Sequence, residues 1–433
     1  MVRQVNVMSG LDLFQKRKSL LGPAYRLFYD RPLHVVRGEG VWLFDADGRK
    51  YLDMYNNVPH VGHCHPRVVH AICEQAKTLN THTRYLHENV VEYAERLTGK
   101  LPAELDTAMF CCTGSEANEL ALRIARAVTG GEGVIVTENA YHGNTKATYE
   151  ISPEECPLED LPPYVVTVPD PDVYRGRNHG DDAGLRYAEY VQEAVDMLLE
   201  RGIKPAAFVV DTIISSGGIV KPQPGYLARA AEIIRSARGL FIADEVQPGF
   251  GRTGDNFWGF EADVLVPDIV TMGKPMGNGH PIAAMVASRA LVESFSKSVG
   301  YFNTFGGNPV SCAAALAVLD VLEDEDLQAN AAKQGRHMVD GLERLAQRHE
   351  LIGDIRGNGL FIAVEFVADR AERSPATEMT ARVVNGLRER GVLVGSIGPD
   401  NNIVKLRPPM VLQEADADLM LETLDETLAA VTA

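Results

Sequence analysis

Between about residues 105 and 310, short apolar runs alternate with longer segments whose apolar positions recur every three to four residues. The runs GVIVT (133–137), AAFVVD (206–211), GLFIADE (239–245), DIVTMGK (268–274) and AAMVAS (283–288) are each bounded by turn residues, and they read as buried strands. Over 116–128, Ala117, Leu120, Ala121, Ile124 and Val128 mark one face of a helix. Strand and helix in alternation predict βαβ units, hence an α/β domain on a mostly parallel sheet.

The two ends follow other patterns. VRGEGVWLFDADGRKYLDMY reads as a hairpin turning at Asp47-Gly48. After residue 311 the chain predicts a long helix, strands over GLFIAVEFV (359–367), GVLVG (391–395) and NIVKLRP (402–408), and closing amphipathic helices. The expected division is an N-terminal segment 1–60, a large domain 61–310 and a smaller α+β domain 311–433, which the N-terminal segment joins.

At 433 residues the chain is long enough for one such large domain and a smaller one. Its net charge of −17 supplies no basic surface for a nucleic-acid backbone, so an anionic substrate must be met by individually placed arginines or lysines. Six cysteines without CxxC spacing, two of them adjacent at 111 and 112, argue against a disulfide framework and for a reducing, cytoplasmic setting. The N-terminal MVRQVNVMSGLDLF lacks the apolar core of an export signal, and no run reaches the roughly 18–20 apolar residues of a membrane span.

HVGHCHP (60–66) brings three histidines and a cysteine together, a ligand set that zinc or copper accepts. No second knuckle of Cys and His follows it, and the expectation is no metal: the segment is a turn into a helix with Pro66 in its first turn.

The sharper chemistry lies at the ends of the strands. FIADEVQ places Asp244 and Glu245 at one strand terminus, and DIVTMGKPMGNGHP places Lys274 at another. In an open parallel sheet, ligands bind beyond the carboxyl ends of the strands. Thr113, Gly114 and Ser115 immediately precede a helix, where exposed backbone N–H groups and the helix dipole favour a phosphate; an ordinary serine cap is the plainer alternative. An amine, a carboxylate for a pyridine nitrogen and a phosphate cradle are together what pyridoxal 5′-phosphate requires. Tyr141 and His142, just after GVIVT, add an aromatic pair able to stack on its ring.

With TGSEAN, AYHG, FIADEVQPGFGRTG, VTMGKPMGNGHP and FNTFGGNPVSCAAALAVL in this order, the chain resembles the class III pyridoxal-phosphate aminotransferases of fold type I over nearly its whole length. The resemblance implies a seven-stranded, mostly parallel sheet and a homodimer. It implies Lys274 as the Schiff-base lysine, Asp244 as partner of the pyridine nitrogen, Gln247 near the ring hydroxyl, and Gly114 and Ser115 on the cofactor phosphate, aided by Thr304 from the second subunit. Asp211 also belongs to the cofactor's surroundings. Within the class, NNVPHVGHCHP, NTHTRYLHENVVEYAERL, DVYRG and YFNTFGGNPVSC resemble the phospho-lyase subgroup acting on ethanolamine phosphate or phosphohydroxylysine. Where the aminotransferases usually carry Glu-Pro after AAFVV, this chain has the shorter acid Asp211 and no proline.

Two enzymatic outcomes follow from that likeness. In a lyase, Lys274 removes a proton beside the substrate nitrogen and the neighbouring carbon expels phosphate; a free lysine pKa of ~10.4 must fall for this to occur near neutrality. In an ω-aminotransferase, the amino group is instead passed to a 2-oxo acid. A substrate phosphate needs its own donors: Arg407 in KLRPPM, matching the family's carboxylate-binding arginine, with Arg26, Arg84 and Asn57 as further candidates. For the arginines the plainer reading is a surface ion pair.

Overall fold

The computed structural model describes residues 10–432, so most of the N-terminal stretch read for an export signal, residues 1–9, lies outside the described residues. Among these, a seven-stranded sheet runs in the order Thr107–Cys111, Ala283–Ala287, Ile269–Met272, Leu240–Asp244, Pro205–Asp211, Gly133–Thr137, Val165–Val168. The strands from Ile269–Met272 to Val165–Val168 pair in parallel, and Ala283–Ala287 is antiparallel to both neighbours. All five runs read from the sequence are in this sheet. The two edge strands are additional, and their weak signal has a physical reason: in Thr107–Cys111 only the last two residues are buried, and Val165–Val168 is four residues long.

Alternation along the strands sorts their side chains to two faces. Val134, Val136, Ala207, Val209 and Ile242 pack with Ala117, Leu120, Ala121 and Ile124 of the helix Gly114–Thr129. Ile135, Phe208, Val210 and Phe241 face the other way, onto Tyr187, Val191 and Val195 of Ala183–Glu200 and Ala230 and Ile234 of Tyr226–Ser236. Covered on both faces, the sheet leaves only its edges and strand ends for chemistry. Gly130, at φ +66°, ends the helix Gly114–Thr129 in the left-handed conformation that glycine adopts without strain.

The C-terminal part forms an antiparallel sheet from Ile352–Asn358, Phe361–Asp369, Ile403–Leu406 and Gly395–Ile397, flanked by Thr377–Arg390 and Glu414–Thr432. Its expected first helix is two, Pro309–Asp324 and Leu327–Ala346, separated at Asp326, where φ reaches +48°. The N-terminal meander Val35–Glu39, Trp42–Asp45, Lys50–Asp53 is extended in parallel by Val392–Leu393, with Leu52 opposite Val392. Among the described residues, no helix is long and apolar enough to cross a membrane.

The histidine-rich turn is tied to protein groups. His60 bonds the Phe250 carbonyl at 2.8 Å and Arg252 at 3.1 Å, His63 meets the Asp53 carboxylate at 2.7 Å, and His65 meets Glu325 at 3.2 Å. The helix that follows begins at Pro66. These bonds lock the segment between the N-terminal meander and the loop after Asp244, beside the strand ends.

Candidate active site

Sheet register aligns three strand ends: Asp211 is the Cα partner of Asp244, and Asp244 that of Thr271. The chain then turns through Gly273 into the short helical turn Lys274–Gly277. Lys274 therefore shares with both aspartates a cleft of about 270 Å³, whose wall also holds Gly114, Ser115, Tyr141, His142 and Gln247.

Asp244 is buried and tightly held. One carboxylate oxygen accepts from the Asn118 amide at 2.8 Å and lies 2.7 Å from His142 Nδ1; the other accepts from the Val246 N–H at 3.0 Å. Asn118 in turn accepts from the Thr271 hydroxyl at 2.6 Å and donates to the His142 carbonyl at 2.8 Å. An aspartate bound this way keeps one orientation, which a partner for a protonated ring nitrogen needs. Tyr141 and His142, read alike from the sequence, are placed differently: Tyr141 stands half-buried in the cleft wall, whereas His142 is fully enclosed and meets Asp244 through its ring nitrogen.

At the start of Gly114–Thr129 the serine-cap and anion-site readings meet. Thr113 Oγ1 accepts from the Glu116 N–H at 3.2 Å, and the Glu116 carboxylate accepts from the N–H groups of Thr113 and Cys112 at 2.9 and 2.8 Å, forming a capping box. That leaves the N–H groups of Gly114 and Ser115 without a hydrogen bond among the described residues, at the positive end of the helix. A Cβ at Gly114 would lie 2.9 Å from Val246, so the absence of a side chain keeps this corner open. Ser115 Oγ accepts from the Asn144 N–H at 3.2 Å and retains its own hydrogen to give.

Charge in the cleft favours a neutral amine. Burial first, and then the positive charge of Arg407, lower the Lys274 pKa against the opposing pull of Asp244 and Asp211. Desolvation, and then the neighbouring Asp244, raise that of Asp211. The Asp211 carboxylate folds back onto its own turn, accepting from the Ile213 and Ser215 N–H groups at 3.1 and 3.2 Å and from the Ser215 hydroxyl.

Arg407 is buried, donates to the Gln247 side chain, and lies 4.7 Å over the Tyr55 ring. It has no carboxylate partner among the described residues, and its Nε is buried without a hydrogen bond. The amide nitrogen of buried Asn57 is likewise without a partner. Arg26 and Arg84 are exposed and do not line the cleft, and Arg84 stacks on Phe302 at 4.0 Å. Thr304 is exposed on the loop before Pro309–Asp324. The structure thus gathers Lys274, Asp244, Asp211, Gly114, Ser115, Tyr141, His142 and Gln247 around one cleft and leaves Arg26, Arg84 and Thr304 on the surface.

Sequence reading missed Asn118, Thr271 and Ser215 around the two aspartates, His280 in the cleft wall, and the buried Lys405 two residues before Arg407. Two of them carried a signal: Asn118 is a polar residue on the apolar face of its helix, and Lys405 is a charge inside the apolar run IVKL. The features gathered here match the needs of pyridoxal 5′-phosphate: free N–H donors beside an open corner for its phosphate, a fixed carboxylate for its ring nitrogen, and an enclosed amine for its aldehyde.

Comparison with known proteins agrees. The aminotransferase class-III family model matches residues 28–428. A Drosophila melanogaster protein named alanine–glyoxylate aminotransferase 2-like is 44% identical, over 98% of this chain and 88% of its own length. A Caenorhabditis elegans protein named ethanolamine-phosphate phospho-lyase homolog 1 is 38% identical, over 98% of this chain and 94% of its own. Among solved structures, a phospholyase from Arthrobacter in complex with phosphoethanolamine superposes with a TM-score of 0.93 at 44% identity, covering 97% of this chain and 100% of that one. Since the family match runs through every strand and helix that builds the cleft, this chain belongs to the class-III aminotransferase family and is a pyridoxal 5′-phosphate enzyme.

Proposed function

We propose that this enzyme is a phospho-lyase that converts ethanolamine phosphate and water to acetaldehyde, ammonia and inorganic phosphate, working as a homodimer in the cytoplasm. The observation that carries the reading is the state of Arg407, a buried guanidinium near Lys274 with no carboxylate partner among the described residues and an unpaired Nε. Asp53 and Asp211 act on it only from a distance, and a buried cation with no carboxylate in contact is costly; a phosphate dianion presented as the substrate supplies that contact. The shortness of Asp211 matters here, because its oxygens are engaged by Ser215 and Ile213 rather than by Arg407. The Arthrobacter protein, described as a phospholyase in complex with phosphoethanolamine, supports the same reading.

Pyridoxal phosphate, when bound, supplies the aldehyde that holds the substrate amine and a ring that accepts an electron pair. Lys274, its pKa lowered in the cleft, takes the proton from the carbon beside the substrate nitrogen. Asp244, oriented by Asn118 and His142, holds the proton on the ring nitrogen. Arg407 binds the phosphate and stabilises it as it leaves with its bonding electrons; the amide of Asn57 is a second donor. Gly114 and Ser115 would hold the cofactor phosphate, with Gln247 toward its ring hydroxyl and Thr304 of a second subunit as a further phosphate donor.

A second reading, transfer of the amino group to a 2-oxo acid, is favoured by the aminotransferase name of the Drosophila relative. Phosphate release measured with and without pyruvate separates the two. A lyase releases phosphate and acetaldehyde stoichiometrically with no 2-oxo acid present, and no release from cofactor-loaded protein overturns the proposal. Comparing ethanolamine phosphate with 5-phosphohydroxylysine decides between the substrates of the subgroup.

A further inference from the structure

Lys405 lies in the middle of the strand Ile403–Leu406, two residues before Arg407. Side chains two apart on a strand share a face, so Lys405, Arg407 and Ile403 project to the same side. Ile403 shows what covers that side: it packs with Ile213, Ile219, Phe361, Ala363 and Ile397, an apolar lid over which the Asp211–Gly218 turn folds. The cross-strand neighbours of Lys405 are Ala363 and Gly395, both too small to pair with it.

Within this surround the lysine is 5% exposed and has neither a hydrogen bond nor an ion pair among the described residues. The charges that act on it are Arg407 and Lys274, of its own sign, and Glu154 and Asp211. Neither acid neutralises it: Glu154 is exposed, and the Asp211 oxygens are engaged by the Ser215 and Ile213 groups. Three cationic side chains, Lys274, Lys405 and Arg407, therefore act on one another behind and within the cleft wall; the acids that oppose them are Asp211, Asp244, Asp53 and Glu154, and none of these bonds Lys405 or Arg407. Burial and the charge of Arg407 push the Lys405 pKa well down in the resting protein. A dianion arriving between Lys405 and Arg407 reverses that balance and recovers the full ammonium charge.

We propose that Lys405 is the second cation of the substrate-phosphate site, paired with Arg407, and that it sets the preference of this cleft for phosphorylated amines. The assignment rests on the phospho-lyase reading. It adds to Arg26 and Arg84, which do not line the cleft of their own chain, a residue enclosed near Lys274 and Arg407. A lysine kept for the substrate should also cost stability while it waits, because a buried amine without a hydrogen-bond partner is less favourable than a hydrocarbon of the same length.

The test uses the cofactor-loaded enzyme and its Lys405→Met and Lys405→Arg variants. Three quantities are read: kcat and KM for phosphate release from ethanolamine phosphate, the affinity for inorganic phosphate by calorimetry, and the thermal midpoint. Lys405→Met should raise KM at least tenfold, weaken inorganic phosphate at least tenfold and raise the midpoint, while Lys405→Arg should recover most of the phosphate affinity. A lowered midpoint with unchanged KM and unchanged phosphate affinity makes Lys405 structural and overturns the assignment. If the unmodified enzyme binds inorganic phosphate through Lys405 but releases none from ethanolamine phosphate, the anion site stands and the lyase reading falls. Should Lys405→Met fail to fold, Lys405→Gln with a lost phosphate affinity and a normal spectrum supports the site, and unchanged kinetics and phosphate affinity in Lys405→Gln oppose it.

Discussion

Asp211 and Asp244 are register partners at the ends of neighbouring parallel strands, yet their carboxylates answer to different groups. Asp244 is held by Asn118 and His142, and Asp211 by its own turn. One methylene separates Asp211 from the glutamate that the aminotransferases usually carry there, and that length decides whether the carboxylate stays on Ser215 or reaches towards Arg407. Asp211→Glu should place a competing negative charge on Arg407 and raise KM for ethanolamine phosphate about tenfold, equivalent to ~1.4 kcal/mol. Steady-state phosphate release measures it, and an unchanged KM would show that Arg407 does not meet the substrate.

Gly114 makes a cleaner case for the cofactor phosphate. Its backbone is helical, so alanine is tolerated by the helix itself, while the new Cβ would stand 2.9 Å from Val246 in the corner that the phosphate needs. Gly114→Ala should weaken pyridoxal phosphate binding roughly tenfold, ~1.4 kcal/mol, with little change in the thermal midpoint of the cofactor-free protein. Titration of the cofactor into dialysed protein gives the affinity; equal affinity in the two proteins would move the phosphate elsewhere.

Thr304 lies on a surface that exposes large apolar side chains. The loop at 82–86 adjoins the loop at 302–307, with His82 5.8 Å from Phe302 and Arg84 stacked on the same ring. Leu86 is 100% and Phe305 69% exposed, a concentration of apolar area unusual for a surface with no partner. Sedimentation should give twice the 47.3 kDa chain mass, and Leu86→Glu with Phe305→Glu should shift the protein to monomer with weakened cofactor binding. A monomer that binds the cofactor normally would refute the contribution of Thr304 across the interface.

How much of this the sequence discloses depends on range. Lys274, Asp244 and Gly114 were legible because each sits at the end of a strand or the start of a helix, where local pattern and chemistry coincide. Asn118 was not, since Asp244 lies 126 residues away and is brought in by sheet register, and Ser215 was not, since Gln247, whose amide donates to its hydroxyl, lies 32 residues away. The same holds for Lys405, whose isolation depends on Ala363 and Gly395 across the strands. Arg26 and Arg84 lie outside the cleft of their own chain, so what they meet depends on groups that local pattern does not reveal. Tyr141 and His142 are adjacent and chemically alike, and one step of backbone turns one to the cleft and the other to Asp244.

Glu245, next in chain to Asp244, points away from the cleft and gives the protein a pH dependence of its own. It is fully buried and accepts from the Thr212 hydroxyl and the Gly259 and Phe260 N–H groups at 2.8, 2.8 and 2.9 Å. Desolvation nevertheless outweighs those donors and pushes its pKa from the ordinary 4.5 up to about 8. The folded protein therefore keeps a proton that the unfolded chain has released, and between those values the native state binds more protons. Stability should accordingly fall as pH rises from about 4.5 to about 8 and level off above, the reverse of the usual carboxylate trend. Glu245→Gln carries no such proton, so its thermal midpoint should vary less over that range. At low pH the substitution should cost about 1–3 kcal/mol, because its amide nitrogen cannot accept from the Gly259 N–H. Thermal unfolding at pH 5.5, 7 and 8.5 compares the two slopes; parallel slopes would mean that Glu245 stays ionised and that its three donors outweigh burial.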